Sequence, residues 1–209
     1  MSQTESDRAY EQIKDRIVSV QLTPGTVIRE GDLSDQLSIG RTPIREALKR
    51  LEAERLVVSS PHRGMHVAEI SITDLSQIYE VRLELEATSA GLATQRMQPN
   101  QKEEMRQLAE KYLEMGRDNL ELLFQLDRRF HLLLAHGAHN RFLAWEIGRY
   151  YDLSLRVWNM ALRYVDASDI DVAAHLGLLE FIEAGDPPGA AKAMREHIRS
   201  FHQTIKRHL

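Results

Sequence analysis

Four polar residues in the second half of the chain could together bind a divalent metal ion: Asp127, His131, His175 and His197. Asp127 and His131 are one helical turn apart, so a single helix would present both on one face. The two later histidines each lie on the apolar stripe of another predicted helix. A buried unpaired carboxylate is costly, whereas a carboxylate with neutral imidazoles is a ligand set for Zn²⁺, Ni²⁺ or Mn²⁺. The pattern therefore predicts a metal site, although one such histidine alone would more often be a hydrogen-bonded core residue.

The chain contains no cysteine and nine histidines. Disulfides and thiolate metal sites are thereby excluded, so any metal must be bound by histidines and carboxylates. A metalloenzyme with an open coordination position is an alternative, but no second inward carboxylate is obviously placed as a general base. The remaining histidines do not converge on a common position, and we interpret them as surface or hairpin residues: His62, His66, His136, His139, His202 and His208.

Arg82 is a further inward polar residue, and it lies between Ile78 and Leu85 on a predicted helix. One interpretation is a salt bridge with Glu86, one turn further along the same helix. The other is a guanidinium that binds a small carboxylate effector bidentately, together with the metal. The sequence leaves both interpretations open.

The elements that must position these residues are helices. Apolar periodicity predicts six of them and no strand, which is typical of a helical bundle. A capping-box spacing at Ser71–Asp74 predicts that the first begins there. Glycine, proline and short polar stretches predict the breaks, notably at Gly116, at Ala167–Ser168 and between Gly185 and Gly189. The predicted segments are about 74–97, 102–116, 119–137, 141–164, 169–184 and 189–208.

A basic amphipathic helix is predicted nearer the N-terminus, within Ile39–Leu51, which reads I-G-R-T-P-I-R-E-A-L-K-R-L. Pro43 is favoured in a first turn, so the helix should begin near Thr42. Arg41, Thr42 and Arg45 then lie at its N-terminal end, where a recognition helix contacts base edges, and Lys49 lies further along for phosphate contacts. The alternative is an ordinary solvated basic face.

The surroundings of this helix favour DNA binding. A helix, a short strand and a second helix are predicted before it, and two β-prone runs after it form a hairpin with Arg63 near its tip. This is the order of a winged helix-turn-helix, in which the hairpin wing contacts DNA beside the recognition helix. The predicted elements are helices at about 7–20 and 32–37, a strand at Val27–Ile28, and hairpin strands at 56–59 and 65–68.

Charge and hydropathy are consistent with a small DNA-contacting region on a larger body. The formal net charge of the 209 residues is −4, yet the segment from Arg41 to Arg63 carries six bases against three acids. The chain has no apolar run of membrane-spanning length, and its first residues lack the pattern of a signal peptide. We therefore expect a soluble cytoplasmic protein with no membrane partner.

Three runs in the first part of the chain closely resemble the DNA-binding half of the GntR superfamily of bacterial transcription regulators. They are P-G-T-V-I-R-E-G-D-L-S-D-Q-L, R-T-P-I-R-E-A-L-K-R-L and L-V-V-S-S-P-H-R-G-M-H-V. The resemblance implies operator contacts by Arg41, Thr42 and Arg45, and by Gly64 at the wing tip. Two residues depart from the family pattern. Gly40 stands where a helix-capping serine is usual, and Arg55 stands where glycine is usual.

The rest of the chain resembles the FCD ligand-binding domain of the FadR-like branch of that superfamily. The resemblance rests on Y-E-V-R-L-E-L-E, on D-R-R-F-H followed by H-N-R-F, and on a later H and H-I-R. In metal-containing members the corresponding aspartate and histidines bind the metal, which implies that role for Asp127, His131, His175 and His197. The shortness of this part implies the six-helix subgroup.

The sequence thus predicts a mainly α protein with a winged helix-turn-helix at 1–70 and an all-α, FCD-like effector- and metal-binding domain at 71–209. We expect a homodimeric transcription regulator, not an enzyme, that binds an inverted-repeat operator and responds to a small carboxylate. A repressor is expected. Zn²⁺ is the expected metal, with Ni²⁺ or Mn²⁺ as alternatives. The rival functions are a metalloenzyme and a regulator for which the metal itself is the effector.

Overall fold

The computed structural model describes residues 3–115, 119–161, 171 and 173–207. The predicted break at Ala167–Ser168, the predicted helical residues 162–164 and 169–170, and Gly116, Val172 and His208 lie outside that part. The chain divides into two compact units. One consists of Met1–Ser71 together with Leu155–Asn159, and the other of Ile72–Ser154 together with Met160–Leu209.

The N-terminal unit contains the predicted helix-turn-helix. Its helices are α1 (Glu5–Val18), α2 (Glu30–Leu37) and α3 (Arg41–Ala53). The helix α1 begins two residues earlier than predicted, because Thr4 and Asp7 form a capping box at its N-terminus. Ile13 and Ile17 of α1 and Ile44 and Leu48 of α3 are fully buried, so the apolar stripe predicted for the basic helix faces the core. The basic residues of α3 are left for the surface.

A two-stranded antiparallel hairpin follows α3. Its strands are β1 (Val57–Ser60) and β2 (Gly64–Val67), with Val57 opposite Val67 and Ser60 opposite Gly64. Gly64 has a φ of +70° at the end of the tip, a conformation that glycine adopts without steric cost. The predicted strand at Val27–Ile28 is reduced to a single bridge between Val27 and His66. The winged helix-turn-helix is confirmed.

The two departures from the family pattern have visible structural consequences. Gly40 occupies the N-cap of α3 and, having no side chain, makes no capping hydrogen bond, which typically contributes about 1 kcal/mol. Arg55 follows α3 with a φ of +63°, in the left-handed region. A side chain in this region costs roughly 1–2 kcal/mol, which is why glycine suits the position. Nothing in the described structure explains the charge of Arg55.

The second unit contains helices and no strand among its described residues, as predicted. Its helices are α4 (Ile72–Arg96), α5 (Pro99–Met115), α6 (Leu120–Gly137), α7 (Arg141–Ala161, of which Leu155–Asn159 are grouped with the first unit), α8 (Ala174–Ala184) and α9 (Pro187–Arg207). The predicted break between Gly185 and Gly189 is shorter than expected, because α9 begins at Pro187. Gly185 ends α8 in the left-handed conformation, with a φ of +69°. None of the described helices is long and apolar enough to cross a bilayer.

The core of this unit lies between α4, α6, α8 and α9. The helix α4 packs along α9 and against α6 and α8. Ala87, Ala90 and Ala93 on α4 are fully buried, and these small side chains allow the neighbouring helices to approach closely. Leu123, Phe130 and further apolar residues bury one face of α6. This packing brings the polar residues on the inner faces of the four helices together.

Candidate metal centre and nucleic-acid interface

Three helices supply the residues of the predicted metal site. Asp127 and His131 lie one turn apart on the buried face of α6, whose first turn is capped by Asn119 accepting from the Leu122 amide at 3.0 Å. His175 is fully buried in the first turn of α8, and His197 lies in the middle of α9. The four residues, named here the Asp–His cluster, are brought together as the sequence predicts.

The ligand atoms of the Asp–His cluster all lie within 4.8 Å of one another. His175 Nε2 is 3.1 Å from Asp127 Oδ1, and His197 Nε2 is 3.1 Å from His131 Nε2. Ligands of one ion, bonded at about 2.0–2.2 Å, are at most about 4.4 Å apart. The spacing is therefore within a few tenths of an ångström of that of a coordination sphere.

The hydrogen bonding of the cluster also fits a metal ion. Asp127 Oδ1 and both ring nitrogens of His175 are buried and have no hydrogen-bond partner among the described residues. Although His175 Nε2 and Asp127 Oδ1 are close, they are not aligned for a hydrogen bond. A buried polar atom left without a partner costs about 1–3 kcal/mol, and such atoms are rare in native proteins. A bound cation would satisfy these lone pairs.

The cluster favours the deprotonated state that metal ligands require. Burial opposes ionisation of Asp127, but His131, His175 and His197 outweigh it and lower the pKa of this carboxyl. Burial lowers the pKa of His175 and of His197, so both imidazoles are held neutral. The cluster thus combines an anionic oxygen with neutral nitrogens.

Two buried residues contact the cluster although the sequence analysis did not assign them to it. Glu86 on α4 accepts a hydrogen bond from His131 Nδ1, and the hydroxyl of Tyr151 on α7 donates to Asp127 Oδ2. A signal for each was present in the sequence. Glu86 lies one turn from the inward Arg82, and Tyr151 lies one turn from the apolar Ile147 on its helix. The contacts themselves join residues 45 and 24 positions apart, which periodicity within one helix cannot reveal.

Arg82 makes the salt bridge that the sequence left open. Its Nε donates to Glu86 Oε1 at 2.6 Å, and only 5% of its side chain is exposed. Its guanidinium also lies over the Tyr151 ring, 4.5 Å from the centroid. Arg82 is therefore linked to His131 through Glu86, which contacts both. Its predicted effector contact stays a prediction.

His197 is the most exposed member of the Asp–His cluster, with 10% of its side chain accessible against 1–3% for the other three. It lines a cavity of about 370 Å³ between α5, α8 and α9. Tyr112, Phe181 and Phe201 form apolar parts of the wall. Three carboxylates also line it: Asp171, Glu180 and Glu196. A small ligand could reach the cluster by this route.

The predicted DNA-contacting residues are all on the surface of the N-terminal unit. Arg41, Thr42, Arg45 and Lys49 are exposed on α3, and Arg63 and Gly64 are exposed at the tip of the hairpin. Arg45 donates to both oxygens of Glu30, the first residue of α2, at 2.9 Å from Nε and 2.7 Å from Nη2. The hydrogen bonds from Arg45, and then the charges of Arg45 and Arg41, lower the pKa of Glu30. Glu30 was not singled out by the sequence analysis.

Comparison with known families agrees with both units. Residues 5–67 match the family described as "Bacterial regulatory proteins, gntR family", and residues 77–200 match the FCD domain. The chain belongs to the GntR family of bacterial transcription regulators. As a GntR regulator with an FCD domain, it binds DNA and is not an enzyme.

Individual relatives cover nearly the whole chain. This GntR regulator is 25% identical over 207 residues to the HTH-type transcriptional repressor RspR of Escherichia coli (strain K12), covering 98% of this chain and 90% of RspR. It is 28% identical over 226 residues to the putative L-lactate dehydrogenase operon regulatory protein of that strain, covering 97% and 86%. Among solved structures, E. coli McbR/YncC is 22% identical with a TM-score of 0.87, covering 99% of each chain. The similarity to McbR/YncC shows that the two proteins share a fold.

Proposed function

We propose that this GntR regulator binds a divalent metal ion at the Asp–His cluster and a small carboxylate at the metal and Arg82, and that the carboxylate changes its affinity for DNA. Residues 1–70 would bind the operator, and residues 71–209 would bind metal and effector. The observation that carries the proposal is the convergence of four ligand groups, three of them buried and His197 partly exposed, from three helices within 4.8 Å. Three buried polar atoms of the cluster that have no hydrogen-bond partner among the described residues support it.

Zn²⁺ is the expected ion, because three imidazoles and one carboxylate suit it, while Ni²⁺ and Mn²⁺ accept the same donors. A metal that binds only the folded chain stabilises it, so a chelator should lower the melting temperature. His197→Ala should abolish this chelator effect. His202→Ala is the matched control, because His202 lies on the same helix but stacks on Tyr79, outside the cluster. A chelator effect that is equal in both variants and wild type would contradict the assignment.

The effector is proposed from the charge of the site. If the bound ion takes six ligands, the four protein ligands leave two positions, which suit a carboxylate with a neighbouring hydroxyl or a second carboxylate; a tetrahedral Zn²⁺ would have to expand its coordination to bind the effector. Arg82 would supply a second positive charge in a buried environment, where such contacts are strong. The relative named after an L-lactate dehydrogenase operon is connected with a 2-hydroxycarboxylate, which supports this ligand class.

A screen of di-, tri- and 2-hydroxycarboxylates by thermal shift tests the effector. It is run on wild type, Arg82→Ala and His197→Ala, and each hit is then tested for displacement of DNA. We expect a hit to stabilise wild type and to lose most of that effect in both variants. A ligand that stabilises Arg82→Ala and wild type equally would remove the arginine from the site. A ligand that leaves DNA affinity unchanged would remove the regulatory claim.

A second candidate is a regulator for which the metal itself is the effector. The carboxylates that line the cavity beside His197 favour it, because they attract cations more than acids. Titrating DNA binding first with metal, and then with carboxylates at fixed metal, separates the two candidates. DNA affinity that changes with metal and not with any acid supports the metal sensor.

We propose that the regulator acts as a homodimer on an inverted repeat, because one winged helix reads too few base pairs for genomic specificity. Two large aromatics one turn apart on α7, Phe142 and Trp145, are 70% and 58% exposed and would suit a second copy. Sedimentation of Trp145→Glu should show more monomer than wild type. The change Trp145→Phe should not have this effect. Equal dimerisation of all three would place the interface elsewhere.

We expect a cytoplasmic repressor that the effector releases from DNA. The relative RspR is named a transcriptional repressor, which supports the sign of regulation. The coupling is reciprocal by linkage. A ligand that weakens DNA binding tenfold, about 1.4 kcal/mol, must itself bind the DNA complex tenfold more weakly. Measuring effector affinity with and without a selected DNA duplex tests this directly. Unchanged effector affinity on DNA would exclude allosteric release.

A further inference from the structure

Glu86 and Tyr151 are not ligand candidates, yet each contacts one ligand of the Asp–His cluster. We propose that Glu86, held by Arg82, fixes His131 in the tautomer whose Nε2 lone pair faces the metal, and that Tyr151 holds Asp127 so that Oδ1 faces it. This inference rests on the proposed metal site. It assigns a positioning role to three residues that surround the cluster.

The tautomer of His131 follows from the two oxygens of Glu86. Oε1 accepts from Arg82 Nε at 2.6 Å, and Oε2 contacts His131 Nδ1. The Arg82 guanidinium pairs directly with Glu86, and a carboxyl paired with arginine is held as a carboxylate. An ionised carboxylate can only accept hydrogen bonds, so His131 Nδ1 must carry a proton, and in the neutral imidazole that metal binding requires Nε2 then carries none. The lone pair is then on Nε2, which lies 3.1 Å from His197 Nε2 inside the cluster.

Tyr151 acts on the other residue of α6 in the same way. Its hydroxyl donates to Asp127 Oδ2, while Oδ1 has no hydrogen-bond partner among the described residues. A carboxylate oxygen can only accept, so the Tyr151 hydroxyl is the donor of this hydrogen bond. Oδ1 is also the oxygen that lies 3.1 Å from His175 Nε2. One carboxylate oxygen is thus occupied and the other is directed into the cluster.

Arg82 contacts both outer residues, because it donates to Glu86 and lies over the ring of Tyr151. Hydrogen-bond partners of metal ligands set ligand orientation, and their loss typically costs about 10- to 100-fold in metal affinity. An effector that binds Arg82 would therefore change how tightly Glu86 positions His131. Metal and effector would be coupled through this network.

The decisive variant is Glu86→Gln. The only acceptor of the substituted amide is its carbonyl oxygen, and Arg82 Nε can only donate, so the carbonyl must face Arg82. The amide NH₂ then faces His131 Nδ1, which must accept, and the ring proton moves to Nε2. We expect metal affinity to fall about 10- to 100-fold, measured by competition with a chelator of known affinity. In ¹⁵N-labelled metal-free protein, the shifts of the His131 ring nitrogens should report protonated Nε2 instead of Nδ1.

Further variants separate positioning from general damage. Tyr151→Phe keeps the ring and should weaken metal binding about tenfold with the His131 tautomer unchanged. Arg82→Gln in the Glu86→Gln background supplies an acceptor for the amide NH₂, which frees the carbonyl for His131 and should restore the tautomer and part of the affinity. Glu84→Gln is the matched control, because Glu84 lies on the same helix and pairs with Arg195 at the surface. Its metal affinity should equal that of wild type.

Wild-type metal affinity and an unchanged His131 tautomer in Glu86→Gln would overturn the proposal. Loss of affinity in Glu86→Gln without a tautomer change, or without rescue by Arg82→Gln, would also overturn the positioning role, because simple destabilisation would then explain it. If wild type binds no metal, the proposed function fails. The tautomer in the metal-free protein still decides the claim about Glu86.

Discussion

The two units each contain a close arginine–glutamate pair, and the surroundings of the two pairs differ. Arg45 and Glu30 are 2.7 Å apart at the surface, with side chains 59% and 31% exposed. Arg82 and Glu86 are 2.6 Å apart with side chains 5% and 2% exposed. The chemistry and the distances are nearly the same. Water and salt screen the first pair, whereas the second is held in a low-dielectric interior.

This difference suits the two functions. Exposed ion pairs contribute little to stability, so Arg45 can leave Glu30 for a phosphate or a base at small cost. A buried pair is costly to break, because removing one partner leaves an uncompensated charge. Arg82 is therefore suited to hold a fixed geometry around the cluster, and Arg45 is suited to exchange partners. The comparison predicts opposite consequences for the same kind of mutation.

The largest expected effect is on stability. Arg82→Ala should lower the free energy of unfolding by about 3–5 kcal/mol, because it leaves Glu86 buried without its main cationic partner. Chemical denaturation of metal-free protein measures this without a contribution from bound ion. Arg45→Ala is the matched control and should be close to wild type. Equal losses of unfolding free energy in the two variants would show that burial does not make the two pairs different in stability.

The next largest expected effect is on DNA affinity, and it involves Arg45 of the exposed pair. Arg45→Ala or Arg41→Ala should weaken binding to a duplex obtained by in vitro selection about 5- to 150-fold and relax the preference at one position in each half-site. Fluorescence anisotropy on the selected duplex and its single-base variants measures both. Arg199→Ala, an exposed arginine on α9, serves as the control. If neither α3 variant changes affinity, α3 is not the recognition helix.

Glu30→Gln should have a smaller effect of opposite sign. The variant removes a carboxylate that competes with DNA for Arg45 and repels phosphates, so affinity for random-sequence duplex should rise several-fold. Asp32→Asn makes the same charge change two residues further along α2, where the exposed Arg29 lies 4.0 Å away. An equal gain in both variants would show that only net charge matters.

The smallest expected effect is that of Lys49. Lys49→Ala should weaken binding to selected and random duplexes by the same factor. It should also reduce the slope of log affinity against log salt concentration by about 1, as the loss of one phosphate contact does. Titrations at several salt concentrations measure this. A change confined to the selected duplex would make Lys49 a base contact.

Much of this architecture was predictable, because the signals for it are local. The stripe of Ile44, Leu48 and Leu51 and the position of Pro43 were sufficient to identify α3 and the side that faces the core. Helix ends were less predictable. The capping by Thr4 moved the start of α1, and α9 began at Pro187, within a stretch predicted as a break. Arg55 shows the same limit, because its left-handed conformation lies in the connection between α3 and β1, where apolar periodicity predicts nothing about the backbone.

The Asp–His cluster could be predicted because each member lies on an inner stripe of its own helix. The surrounding residues could not. Glu86 was visible only as a neighbour of Arg82, since its contact with His131 depends on how α4 packs against α6. The sequence also does not show how deeply each residue is buried. In the structure Arg82 is buried in its pair with Glu86, whereas His197 lines a cavity. Tertiary packing supplies that information.

Elemental analysis of protein purified without an affinity tag tests the central claim most directly. We predict close to one divalent ion per chain in wild type, loss of that ion in His175→Ala, and full retention in His202→Ala. His175 is the member of the cluster whose two ring nitrogens have no hydrogen-bond partner among the described residues, so its removal should have the clearest effect. Metal content far below one ion per chain in wild type, unchanged by His175→Ala, would contradict the account and reduce the cluster to buried polar residues.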